Sequence, residues 1–502
     1  MPRIMRHFMA STALVLIAPA AFAELSADDV WSDWKTYIAG LGYSVTGQEA
    51  RAGDLLTVTG VAITSGDASL GGGSISMDRV VLTERADGTV TVALPTVMPF
   101  EMATPNDTGS ITRVSADYRQ TGLSIVASGT PNDLQYDYSA QTVSLESTGF
   151  EVNGQVLPAQ SNAFLITLDD ISGTTDMVLD AHRRYTQDLE IGAARYALKA
   201  SDAASGGSSD MSGQMQSVTF DGKSTLPLRA VDTNNVEAML AAGFTAGGTF
   251  NYAANALTLN VTSPTGPSDA SVISQSGRIG VTLDQDGLTY DAAQDDMQVE
   301  MTSPQFPLPI NFNVAQTAMN IAMPIRKSEA PDDFALGFTL DGFTMSDMLW
   351  GLFDPGGQLP RDPATIALDL AGKARLMFNF LDPSVAAEID PGAAPAEIDK
   401  LDINRMQITV AGAELVGNGA FEFDNSAEGA PKPEGAVDLT LTGANGLIDK
   451  LVAGGLLPEE QAMGARMMMG LLAVPGNAPD TLNSKIEIND QGHVMANGQR
   501  IQ

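Results

Sequence analysis

The chain contains no cysteine. It therefore forms no disulfide, offers no thiol nucleophile or thiolate metal site, and carries no lipid on an N-terminal cysteine. Histidine is nearly as scarce, with three copies in 502 residues: His7, His182 and His493. Histidine is the usual acid–base group near neutral pH and a common metal ligand. Its isolated copies argue against most hydrolase and transition-metal mechanisms, so no catalytic residue, metal or cofactor is expected. Positive charge is also short, with 27 Lys and Arg against 61 Asp and Glu, a formal charge of −34. Such a chain repels polyanions, which excludes nucleic acid as a partner, and it gains nothing electrostatically at an anionic membrane surface. Aromatic residues make up 6%, thin for the girdles of a membrane barrel. Charged residues are 18% and hydrophobic ones 44%, a balance that excludes general disorder and leaves the acidic excess as a solvated surface.

The N-terminus supplies the first positive signal. Arg3, Arg6 and His7 precede the short apolar run Ala13 to Ala18, and Ala21-Phe22-Ala23 follows with the small-x-small pattern of a signal-peptidase site. The run is well short of the roughly 20 residues of a membrane-spanning helix. Residues 1–23 are thus read as a cleaved export signal, with cleavage after Ala23, periplasmic location and no transmembrane segment in the mature chain. Loss of Arg3 and Arg6 takes the formal charge from −34 to −36.

Removing 23 of the 502 residues leaves 479, long enough for more than one domain at about 100–200 residues each. The alternation of Thr, Val and Ile with polar residues, punctuated by turn pairs, predicts a mainly β (α+β) protein: large twisted antiparallel sheets with a few short helices packed on them. Asp87-Gly88 and Asp286-Gly287 sit between alternating segments as hairpin tips. Similar pairs at Asn153, Asp221, Asp341, Asn418, Asn445 and Asn497 are further turn candidates. Helical segments are predicted from Ser26, a cap for a face of Val30, Trp31, Trp34, Ile38 and Leu41; from Asn235 to Phe244; from Ser346 to Phe353; and as a hairpin over 447–472 with Pro458 at a first helical position. The Ser- and Gly-rich stretch 201–213 reads as a flexible linker or loop, and as the boundary between an N-terminal helix-plus-meander domain over 24–200 and a C-terminal β-rich domain over 214–502. Pro391 to Pro395 and Glu428 to Glu434 read as loops.

Short motifs resolve into weak chemistry. Gly222-Lys223-Ser224 would need a glycine at 217 to cradle phosphate, and Ser217 stands there. Ser32 and Lys35 have the Ser-x-x-Lys spacing of serine β-lactam enzymes without the Lys-Thr-Gly companion. Asp284, Asp286 and Asp291 form part of a calcium loop without its terminal glutamate. His182-Arg183-Arg184 reads as a solvated basic face, with an anion contact as its functional alternative. Met463, Met467, Met468 and Met469 crowd one helical segment; methionine makes adaptable apolar surface, either core packing or the lining of an apolar ligand site.

Two stretches are more distinctive. Asp347-Met348-Leu349-Trp350-Gly351-Leu352-Phe353-Asp354-Pro355 continues through Gln358-Leu359-Pro360-Arg361-Asp362-Pro363, with Trp350 and Phe353 expected beneath the strand from Ala364 to Leu370. Ala411-Gly412-Ala413-Glu414-Leu415 joins Leu447-Ile448-Asp449-Lys450 and Leu457-Pro458-Glu459-Glu460-Gln461-Ala462-Met463. This wording resembles the exported bacterial family called domain of unknown function 2125. The resemblance is densest from Phe334 onward and extends over the mature chain, including Asp29-Val30-Trp31. It implies no activity and assigns no catalytic residues. A broader architectural likeness, to the AsmA-like envelope proteins that build β grooves, implies lipid handling.

Together these readings predict a non-enzymatic periplasmic protein that binds or shelters an apolar small molecule such as a lipid. Trp350, Phe353, Met463, Met467 and Met468 are the candidate lining residues. The alternatives are a structural or interaction component whose partner is an envelope protein, and a hydrolase acting through carboxylates alone.

Overall fold

The computed structural model describes residues 24–40, 42–65, 72–105, 110–202, 206–228, 235–381, 395–426 and 431–502. The export signal at 1–23, Leu41, residues 391–394 of the loop expected at 391–395, and residues 428–430 of that expected at 428–434 lie outside them. The helices are α1 (Ala27–Gly40), α2 (Val236–Ala241), α3 (Asp347–Phe353), α4 (Ala444–Ala453) and α5 (Glu459–Leu472). Among the described residues the strands join into one sheet of 27 strands, and all pairings are antiparallel. The mainly β reading is therefore correct.

The sheet is built around long strands. Asp133–Val152, Ala163–Leu179, Arg183–Asp202 and Gly207–Leu226 form a continuous meander. On either side of it the sheet divides into two columns of half-length strands. Beyond Gly207–Leu226, one column holds Ala254–Ser263 and Gly266–Ser274, and the other holds Thr245–Tyr252 and Ser276–Leu283. Both columns rejoin on Leu288–Thr302. The same division occurs before the meander, where Val97–Pro105 and Ile111–Thr121 run beside Val90–Ala93 and Ser124–Thr130.

A crease runs between the columns and through the long strands. Asp170, Ser217, Asp296 and Gly342 hold φ of 52°, 46°, 48° and 66° in mid-strand. Register aligns Asp170 with Gly192 and Gly192 with Ser217. A Cβ on Gly342 would stand 2.6 Å from the Ala315 Cβ, and Asp295 and Met297 pair with Gln316 and Val314 on either side of that same position. Each left-handed residue shifts the side-chain alternation by one, so the apolar positions keep their face. Thus Met211 and Met215 give way to Val218 and Phe220, and Leu336, Phe338 and Leu340 to Phe343 and Met345. Met215 and Val218 pack in one cluster with Leu168, Ile171, Ile191 and Phe250, across the crease.

α1 covers one end of the apolar face. Ser26 Oγ accepts the Asp29 N–H at 3.1 Å and the Asp29 carboxylate accepts the Ser26 N–H at 3.0 Å, a reciprocal cap. Val30 and Trp31 are buried against Leu56, Val58, Val80, Leu82, Leu134, Met177 and Leu226. Asp33 anchors the helix from below: it pairs with Arg183 and accepts the Tyr136 hydroxyl at 2.7 Å. Arg183 is buried, so the solvated basic face expected at 182–184 is corrected. Its anion is the protein's own carboxylate, while Arg184 pairs with Asp180 at the surface.

Three further expectations change. Residues 201, 202 and 207–213, expected in a linker or loop, lie in paired strands: Ser201 pairs with Ser208 and Tyr196 with Gly213. Small residues extend a ladder as well as large ones, because backbone groups make it. Lys432, Pro433 and Glu434 likewise open a strand, Lys432–Thr442, in place of the expected loop. Asp87-Gly88, Asn153-Gly154, Asp286-Gly287 and Asn497-Gly498 turn hairpins as expected, but Asp221-Gly222 and Asn418-Gly419 lie in strands. Asp341-Gly342 lies on the crease and Asn445-Gly446 in α4.

Candidate functional site

Cross-strand partners share a face, so register alone assembles the site. On one side of the crease, Leu189 pairs with Phe220, Phe220 with Phe250, Phe250 with Ile279, and Ile279 with Ala292. The row continues through Met319, Phe338, Leu368, Met406, Gly417 and Leu439. Eleven strands at ~4.8 Å spacing make it about 50 Å long. On the other side, Met98, Tyr118, Leu145, Ile166, Tyr196 and Gly213 form a second row that runs on through Leu257, Val272, Val299, Phe312 and Met345.

Away from α1, this face stays open among the described residues. Buried apolar clusters form around α1 and around Val218. Farther along the ladder, Ile279, Met319 and Phe338 keep 42%, 40% and 44% of their surface exposed. The opposite face is polar in the same register: Thr174, Asp188, Asp221, Thr249, Gly280 and Asp291 lie in one row. A depression of about 660 Å³ on that side brings together Asp188, Asp221, Lys223, Arg278 and Asp291, and Arg278 is paired with Asp291.

The apolar rows are surfaced by rings laid over glycines. A Cβ on Gly248 would meet the Phe220 ring at 2.7 Å, and one on Gly173 or Gly372 would meet Tyr138 or Phe334 at the same distance. Each ring fills the place of an absent side chain on the neighbouring strand, which covers exposed backbone and keeps the surface low.

The sequence-derived lining residues sit elsewhere. Trp350 and Phe353 are on α3; Met463, Met467 and Met468 are on α5. None belongs to the ladder rows. Trp350 is half-buried, whereas Phe353 is 62% exposed and does not pack beneath the strand Ala364–Leu376. The reason is the turn after α3: the Asp354 carboxylate accepts the backbone N–H of Leu359 at 2.8 Å and of Gln358 at 2.9 Å, reversing the chain. The Leu359 bond is the main cause holding the Asp354 carboxyl below its ordinary value. On α5, Met463 and Met467 are each 71% exposed.

The other motifs have structural work. Lys35 pairs with Glu49 at 2.7 Å, and the Trp31 indole donates to the same carboxylate at 2.7 Å. These bonds, Lys35 first, lower the Glu49 carboxyl below its ordinary value. Asp284 Oδ1 accepts the N–H of Asp286 and Gly287, capping a hairpin turn. No grouping of three potential metal ligands occurs among the described residues. Lys223 lies in a strand.

Fold and face together define an antiparallel β-ladder protein whose apolar side is uncovered over much of its length among the described residues. The family described as an uncharacterized protein conserved in bacteria (DUF2125) matches residues 242–498, just over half of the sequence, and the chain belongs to it. The match includes α3, α4, α5 and the ladder from Thr245 onward. α1, with Asp29-Val30-Trp31, lies outside it, so the resemblance does not extend over the mature chain as expected. No curated protein matches the chain. No helix among the described residues is long and apolar enough to cross a membrane.

Proposed function

We propose that this protein works in the periplasm and holds apolar chains, those of lipids, against the uncovered face of its sheet. The observation that carries this reading is the row from Phe220 to Leu439, apolar at almost every strand and half-exposed at Ile279, Met319 and Phe338. Exposed apolar surface this extensive is unfavourable in water and marks a binding face. Burying about 300 Å² of it under acyl chains is worth roughly 7 kcal/mol before the entropy of association is counted. The zwitterionic or uncharged members of a membrane suit the strongly acidic chain best.

The test is native mass spectrometry of protein purified without detergent. Wild type is expected to carry lipid adducts. Phe338→Asp, placing a charge mid-row at an exposed position, is expected to lose them without change in circular dichroism. A wild-type protein free of adducts that also fails to take up added lipid refutes the reading. A second reading, docking of an envelope protein, is favoured by the exposed stripe of Met463, Met467 and Leu471 on α5. Its sign is a stable protein complex from envelope extracts that α5 substitutions abolish and Phe338→Asp leaves intact.

A further inference from the structure

At one place on the apolar ladder an amide and two hydroxyls come together. Beside the crease, Tyr252 pairs with Gly277 and Gly277 with Gln294. The Tyr252 ring occupies the place of the missing Gly277 side chain, which carries its hydroxyl across that strand to Gln294. Gln294 Nε2 lies 3.1 Å from the Tyr252 hydroxyl and 2.9 Å from Ser274 Oγ, and the two hydroxyls are 3.4 Å apart. Ser274 is buried, at 2% exposed. Tyr252 and Gln294 line a depression of about 230 Å³ whose apolar walls are Ile279, Ala292, Met319 and Phe338. The depression exists because Ala292 interposes a methyl group between the larger Ile279 and Met319.

Counting protons shows what this cluster has left over. With the amide N–H groups given to Tyr252 and Ser274, two hydroxyl protons remain and a single hydroxyl–hydroxyl contact can use one. In the reverse amide orientation both hydroxyls donate to the Gln294 carbonyl, and both amide protons are free. Either arrangement leaves a donor at the polar end of an apolar slot.

We propose, building on the apolar-face reading above, that this slot is a subsite for an acyl ester or amide: the first carbons of the chain lie along Ala292, and the carbonyl oxygen accepts the hydrogen bond offered at Tyr252 and Gln294. Ladder contacts elsewhere are indifferent to the head of the chain. This one distinguishes an acyl lipid from an ether lipid or a plain hydrocarbon.

The probes are lysophosphatidylcholine bearing one tetradecanoyl ester and its tetradecyl ether analogue, titrated below their micelle concentrations. Wild type is expected to bind the ester about fivefold more tightly than the ether, the scale of one neutral hydrogen bond. Tyr252→Phe with Gln294→Leu is expected to bind both at the ether's affinity. Ala292→Leu, which fills the slot, is expected to weaken both. Equal binding of the two lipids by wild type overturns the subsite and leaves the apolar-face reading standing. Binding of neither lipid overturns both. The wild-type comparison needs no variant, so a misfolded variant does not blur the result.

Discussion

Asp33→Ala removes the carboxylate that ties α1 to the sheet. The substitution leaves the Arg183 guanidinium unpaired beneath the helix, where its side chain is 10% exposed, and takes the acceptor from the Tyr136 hydroxyl. Breaking one partner out of a buried ion pair costs about 3–5 kcal/mol, and an unsatisfied buried hydroxyl about 1–3 kcal/mol. The two overlap, because Asp33 serves both, so a loss near 4 kcal/mol is expected. Against a typical total of roughly 5–15 kcal/mol this is large. Urea unfolding followed by circular dichroism measures the loss, and hydrogen exchange across residues 27–40 tests whether α1 detaches first. Asp33→Ala with Arg183→Met removes the stranded charge as well and should recover about 2 kcal/mol. An Asp33→Ala protein within ~1 kcal/mol of wild type, with α1 amides still protected, refutes this account of the anchor.

Other substitutions separate the face from its surroundings. Gly248→Val should destabilise by about 1–3 kcal/mol, because a Cβ there meets the Phe220 ring at 2.7 Å; thermal melts decide it. Met467→Gln should change stability by less than about 0.5 kcal/mol, since the side chain is 71% exposed, whereas a core methionine would cost several times more. Burial first, and then the Asp33 charge, raises the Tyr136 hydroxyl above its ordinary value. That contribution to stability is intact below the unfolded value of ~10 and is lost as pH rises further, so urea midpoints should fall above about pH 10, less so in Tyr136→Phe.

The fold class was legible because the chain's composition and its true turns agree: Asp87-Gly88 and Asp286-Gly287 join alternating segments that do pair. Helix ends were legible where a side chain closes them, as Ser26 and Asn235 do. The apolar face was harder to see. A left-handed residue at Ser217 or Asp296 shifts the alternation by one, so Met215 and Val218 look out of phase although they share a cluster. The Asp-Gly pair at 341 looked like a turn for the same reason that it serves the crease, tolerance of positive φ. The long-range rows were hidden altogether, because Phe250, Met319 and Phe338 become neighbours only through register. Methionine crowding on α5 was visible and drew attention to a helix whose side chains stand in solvent. Arg183 looked like one of a basic surface cluster because its partner lies 150 positions earlier.

Among the described residues the ladder's pairings join strands that are neighbours, or near neighbours, along the chain, and no pairing closes the sheet on itself. Its energetics are therefore those of a one-dimensional array, in which stability accumulates from each strand and its adjoining partner. Such an array can grow by duplication of a hairpin: two added strands lengthen the apolar row by ~10 Å and leave the existing registers unchanged. The reach of the binding face is then an inherited count of strands, adjustable in steps, where a closed barrel would have to rebuild its whole circumference.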